Sequence, residues 1–202
     1  MSSLFSDPPF PRGATLLNGE QIDLDANGNP IAGVEIIGQV KAFQDIVPGT
    51  GPAAIRNSNR LTYCVAARYR GATVADASTV AGLLYAFDIG VGANGQPQSL
   101  TEFTSLATNA NIIAGRDYGV LDEYLTGTLR TNDIVWLAVG GPTAAQSSGT
   151  AITNGAQIEV TGSAGQITTR STGVAIGAQI NGTPAGGTAG QKVRLLLWTN
   201  RI

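Results

Sequence analysis

Few residues of this chain can do chemistry. Its 202 residues include no His, which removes the usual proton shuttle at neutral pH and the commonest metal ligand. Carboxylates and one thiol remain. Asp23, Asp25 and Asn27, in Asp23-Leu24-Asp25-Ala26-Asn27-Gly28-Asn29-Pro30, set oxygen donors at alternate positions ahead of a glycine, as the first half of a calcium loop does. The second half fails. The position for the bidentate acid holds Val34, Glu35 comes one residue late, and no helical pattern flanks the loop. Asn27-Gly28 between Ile22/Leu24 and Ile31/Val34 is also a hairpin turn signal. The hairpin is the favoured reading, and no metal or cofactor is expected.

Asp122 and Glu123 are the other acidic candidates, as a glycosidase-type acid and base. Neighbours in a strand point to opposite faces, so the two are not expected to share a site. The single cysteine, Cys64, lies in the apolar run Leu61-Thr62-Tyr63-Cys64-Val65-Ala66-Ala67. It reads as a buried small hydrophobe, because a catalytic thiolate needs a cationic neighbour or a His base. No set of nucleophile, base and orienting group can be assembled, and the chain is not expected to be an enzyme.

The bulk composition agrees with a packing role. Charged residues are 13% of the chain, about half the usual share, and 27 residues are Gly. The net charge is −2 without any basic block, so the electrostatic footprint of nucleic-acid binding is missing. Only Lys41 and Lys192 are Lys; the other basic residues are Arg. Arg favours packed, hydrogen-bonded interfaces, although a GC-rich genome gives the same bias. The N-terminus lacks the charged and apolar regions of a signal peptide. No apolar run approaches the roughly 20 residues of a membrane helix. Synthesis in a host cytoplasm and no membrane partner are expected.

The elements that must position these residues are short strands. Residues 1–32 read as an extended arm. Asp7-Pro8-Pro9-Phe10-Pro11 is incompatible with helix or central strand and favours polyproline II, with Phe5 and Phe10 as apolar knobs. Residues 33–202 read as a β-rich domain, clearest over 117–202. Strands are expected over Val34–Phe43, Leu61–Tyr69, Asp117–Tyr124 and Ile134–Val139, the last stopped by Gly140-Gly141-Pro142. Further strands are expected over Ile158–Val160, Gln166–Thr169, Gly173–Ile180 and Val193–Trp198. Ala75–Ala86 is open between a short helix capped by Asp76 or Ser78 and a strand over Gly82–Asp88. Leu100–Leu106 is open between a helical turn and a loop. Trp136 and Trp198 each sit in an apolar strand and are expected in the core. The fold class is all-β with minor α: a small β-barrel or sandwich carrying an extended N-terminal arm. Tyr118–Leu121 followed by Asp133–Leu137 echoes Thr172–Ile176 followed by Gln191–Leu196, as two related hairpins of one barrel would.

Within residues 134–198, the succession Gly149–Val160, Gly165–Thr169, Gly173–Ala178 and Gly187–Leu197 resembles the small β-barrel of tailed-phage capsid decoration (cement) proteins of HK97-like heads. The resemblance covers about a third of the chain and rests on turn placement; the N-terminal half has no counterpart in the short members of that family. It implies a structural virion protein on the capsid exterior, bound to the major capsid protein lattice, often as a homotrimer, and stabilising the head. Phe5, Phe10 and Arg12 are the expected anchors of the arm on an adjacent subunit. The alternatives are a phage tail, fibre or baseplate component, for which repeats are lacking, and a bacterial surface carbohydrate-binding module.

Overall fold

The computed structural model describes residues 12–17, 36–47, 55–88, 90–91, 97–98, 102–114, 116–161, 165–180 and 187–198. The strands are β1 (Val40–Val47), β2 (Ile55–Tyr69), β3 (Leu84–Phe87), β4 (Gly90–Val91), β5 (Pro97–Gln98), β6 (Glu102–Leu106), β7 (Tyr118–Leu121), β8 (Ile134–Ser148), β9 (Gln157–Val160), β10 (Ile167–Thr169), β11 (Gly177–Gln179) and β12 (Ala189–Leu197). One short helix, α1 (Asn109–Ile113), is capped by the Thr108 side chain, which accepts from the Asn111 N–H. The all-β class with minor α is therefore what the chain adopts.

Strand pairing closes on itself twice. β2, β6, β3, β7 and β8 pair in a circuit that returns from β8 to β2. β8, β10, β9, β11 and β12 pair in a second circuit that returns from β12 to β8. Two small barrels thus share one 15-residue strand. The echo does not describe two hairpins of one barrel: its first half falls on β7 and the start of β8, in the first barrel, whereas Thr172–Ile176 precedes β11 without forming strand and Gln191–Leu196 lies in β12 of the second. Closure pairs both sides of the strands within each circuit and so removes their edges; β1 lies outside the circuits, paired with β2.

β8 works in both barrels because it does not stop at Gly140-Gly141-Pro142. Beside β2 the register slips: Tyr63 opposes Gly140 but Cys64 opposes Ala138, which is the extra residue of a β-bulge. Gly141 holds φ +86°, a left-handed conformation glycine adopts without penalty. Proline is tolerated in strands at such irregularities, and Pro142 still pairs with Leu196. The bulge changes which alternate residues face inward. Ahead of it, Ile134, Trp136 and Ala138 join the cluster shared by both barrels. Beyond it the odd positions take over, and Ala145 lies opposite Val193 in that same cluster. A second cluster draws Tyr69, Phe103, Tyr85, Leu121 and Val135 from all five strands of the first barrel. Its Tyr85 and Phe103 rings meet edge to face at 5.0 Å, a geometry favoured by the ring quadrupoles.

The ambiguous segments resolve as follows. Asp76 caps a single 3-10 turn, Ala77–Thr79, accepting from the Ser78 N–H at 3.0 Å, and β3 follows, so both readings of Ala75–Ala86 hold over part of it. Leu100–Leu106 contributes strand β6. Asp117–Tyr124 is strand only to Leu121. Of the expected arm, Arg12–Leu17 lies against the domain: the Leu16 N–H donates to the Ile134 carbonyl at 2.7 Å, and Leu16 is buried in the shared core.

Candidate interaction site

Where the barrels join, β2 and β12 diverge on either side of Gly141 and leave an open cleft of about 530 Å³. Arg60, Leu61, Tyr63, Gly141, Leu196, Leu197 and Trp198 line it. Leu61, Tyr63 and Trp198 are 42%, 38% and 40% exposed, so three large apolar side chains share one concavity. The floor depends on glycine, since a Cβ on Gly141 would overlap the Leu61 carbonyl. The Thr62 hydroxyl donates to the Pro142 carbonyl and ties the cleft's two sides together. Trp198 is therefore not a core residue, unlike Trp136, which is fully buried against Phe43. Alternation explains the difference. Val193, Leu195 and Leu197 point inward, so Leu196 and Trp198 fall on the other face.

Next to the cleft a buried ionic cluster joins the N-terminal segment to both barrels. Arg12 Nε lies 3.2 Å from Asp122 Oδ1, and Arg12 Nη1 lies 3.5 Å from Glu123 Oε1. The guanidinium also stands 5.2 Å from the Tyr124 ring centroid and 3.5 Å from Thr143 Oγ1. Asp122 further accepts the N–H groups of Gly13 at 2.5 Å and Tyr124 at 3.1 Å. From β12, Arg194 Nη1 reaches Glu123 at 3.8 Å, and Lys192 Nζ donates to the Glu123 carbonyl at 2.5 Å. Burial raises the Glu123 carboxyl above its ordinary pKa, against the pull of Arg12 and Arg194. Burial also works to lower the Arg12 pKa, but the surrounding negative groups outweigh it and the guanidinium stays charged.

This arrangement corrects one expectation. Asp122 and Glu123 share a site, because the strand ends at Leu121 and the chain turns. Opposite-facing geometry applies only inside a strand. Arg12, expected on a neighbouring subunit, has its side chain 10% exposed and ion-paired within its own chain. Phe5, Phe10, Asp23, Asp25 and Asn27 lie outside the described residues. Among the described residues no group of three or more His, Cys, Asp or Glu gathers to hold a metal. Cys64 is fully buried, and burial pushes its thiol up to about 12.

A second carboxylate is held differently. Glu159 accepts the Gly173 N–H at 2.5 Å and the Ser171 hydroxyl at 3.1 Å. Burial works to raise its pKa, but these hydrogen bonds and those from the Ser171 and Thr172 backbone outweigh it and lower the value. The loop over residues 170–174 thus folds around the protein's own carboxylate.

Comparison with protein-family models, curated proteins and solved structures finds no match to this chain.

Proposed function

We propose that this protein is a capsid decoration protein, docking on the outer face of a major capsid protein lattice and stabilising the head. The observation that carries the reading is the β1 edge. β1 pairs along one side with β2, from Val40↔Val65 to Val47↔Ile55, and among the described residues no strand pairs with its other side. β2 reaches its β8 partners only from Tyr63 onward, so the β1–β2 ribbon runs past the barrel that holds its base. Both circuits are closed, and the outer side of β1 is open among the described residues, so another subunit can add a strand there. Val40 is 48% exposed there. Arg12, Asp122, Glu123 and Arg194 are engaged in ion pairs within the chain, which favours docking by apolar burial and strand pairing over charge.

The resemblance of residues 134–198 to decoration proteins supplies the partner; the ribbon supplies the mode of contact. The test is binding of the purified protein to shells assembled from the major capsid protein of the genome that carries this gene, read by co-sedimentation and electron microscopy. Regular occupancy on the outer surface is expected. Shells that remain bare at saturating protein concentration overturn the proposal.

A further inference from the structure

We propose that Asn154-Gly155, in the turn ahead of β9, is a modification site at which the folded chain converts its own asparagine, through a cyclic imide, to a mixture of aspartate and isoaspartate.

The chemistry is an intramolecular displacement. The main-chain nitrogen of Gly155 attacks Asn154 Cγ. A new N–Cγ bond closes the imide, and the side-chain nitrogen leaves as ammonia, carrying the proton from the attacking N–H. Water then adds to the imide. Opening the new bond leaves aspartate; opening the original peptide bond leaves isoaspartate, with the main chain running through Cβ. Water is the only co-reactant, and either product puts a negative charge where a neutral amide stood.

The turn meets what this reaction requires. Attack needs room beside the nitrogen, and glycine brings no Cβ. A Cβ built on Gly155 meets nothing within 4 Å, so neither its own residue nor a neighbour crowds the approach. Asn154 and Gly155 are exposed, which admits water. The Ala156 N–H donates to the Thr153 carbonyl at 2.9 Å and closes the turn. Gly155 sits third in it with φ +75°, as glycine does in a type II turn. Among the described residues, the Gly155 N–H and the Asn154 amide make no hydrogen bond. The nucleophile and the carbon it attacks are therefore both uncommitted, and swinging the peptide toward the side chain breaks no other contact.

Other described asparagines lack one or more of these conditions. Asn132 Oδ1 accepts from Arg70 Nη1 at 2.6 Å, and the N–H after it, on Asp133, donates to the Arg130 carbonyl at 3.0 Å. The N–H after Asn111, on Ile112, donates to the Thr108 carbonyl at 3.1 Å. Asn109 Oδ1 accepts from the Val174 N–H at 3.3 Å, and an alanine follows it. Asn18, Asn27, Asn94 and Asn181 also precede glycine, but they lie outside the described residues.

The modified turn stays anchored. Ile152 and Ile158 on its two sides are buried, and the Gln179 N–H holds the Ala156 carbonyl at 3.0 Å. The change is thus a local one, a new charge and a longer main chain at the surface of the second barrel.

The test is to hold the purified full chain at mildly alkaline pH, below its unfolding midpoint, and to follow each asparagine by peptide mapping and mass spectrometry. Isoaspartate is read separately with an isoaspartyl methyltransferase. Conversion at Asn154 is expected to be severalfold faster than at Asn109, Asn111 and Asn132, and to give both products. Gly155→Ala should slow it severalfold, with the unfolding midpoint showing that the variant is folded. In the native chain alone, conversion at Asn154 no faster than at those three sites overturns the proposal. Aspartate without isoaspartate also overturns it, by assigning the change to direct hydrolysis. None of these readouts involves a capsid, so the result stands apart from the decoration reading.

Discussion

Arg12 and Asp122 meet with Nε 3.2 Å from Oδ1 in an ion pair whose carboxylate partner is almost wholly buried. The contact ties the start of the described chain to the turn after β7, and Glu123 extends it to Arg194 on β12. Two cations and two carboxylates therefore join three parts of the chain that the sequence keeps far apart. Replacing a buried pair by apolar residues is often neutral, but deleting one member strands a charge. Arg12→Ala leaves both Asp122 and Glu123 short of their shared partner. It is expected to lower unfolding stability by about 3 kcal/mol, measured by urea denaturation. Arg12→Lys keeps the charge but loses the fork that spans two carboxylates, and should fall between the two.

Glu123 and Glu159 should give opposite pH signatures. The folded pKa of Glu123 lies above its unfolded value because of burial, so its contribution is fully present below the unfolded pKa and declines as pH rises through the folded one. The folded pKa of Glu159 lies below its unfolded value because hydrogen bonds outweigh burial. Its contribution is present above the unfolded pKa and is lost as pH falls through the folded one. The stability difference between wild type and Glu123→Gln should therefore shrink with rising pH across the carboxylate range. The difference for Glu159→Gln should grow. Denaturation series at several pH values check both, and parallel slopes contradict the assignment.

The sequence shows the strands better than it shows how they close. Alternation and turn residues mark β7 through β12, and the buried Cys64 follows from its apolar run. Ring closure depends on pairings such as Arg68↔Glu102 and Ile167↔Ser147, which join distant segments and have no local signature. Gly140-Gly141-Pro142 reads as a stop because its residues disfavour strand; tertiary pairing on both sides of the bulge overrides that preference. The cleft was partly visible. Continuous apolarity from Leu195 to Trp198 exceeds what one inward face needs, and period-2 counting from Val193 puts Trp198 outside. The Arg12 cluster had no signal at all, because nothing local couples residue 12 to residues 122 and 123.

The bulge that lets β8 serve two barrels sets up a third prediction. Gly141 has φ +86°, and a Cβ there would run into the Leu61 carbonyl. Gly141→Ala combines left-handed strain with a clash against backbone, which cannot rotate away. The expected loss is about 2 kcal/mol or more, read as a lower unfolding midpoint. Gly155 is the control: it also has positive φ, but a Cβ there meets nothing within 4 Å. Gly155→Ala should cost only the strain, about 1 kcal/mol. Equal losses at the two positions would show that the Leu61 contact is unimportant.

The ribbon edge supplies the last prediction, which bears on the proposed function. Val40, Ala42 and Gln44 are exposed along β1 and lie opposite Val65, Tyr63 and Leu61. Introducing like charges beside an unpaired edge blocks strand addition with little effect on a protein's own fold. Val40→Lys/Ala42→Lys should leave the unfolding midpoint near that of wild type while weakening attachment to capsid shells, measured by co-sedimentation. Docking by apolar burial and backbone pairing also predicts little loss of wild-type attachment between low and moderate salt, since exposed charges contribute little to it. Charge-driven docking would give the reverse pattern: a steep loss with salt, and indifference to the two lysines. The two measurements together therefore separate strand addition at β1 from an electrostatic contact elsewhere on the surface.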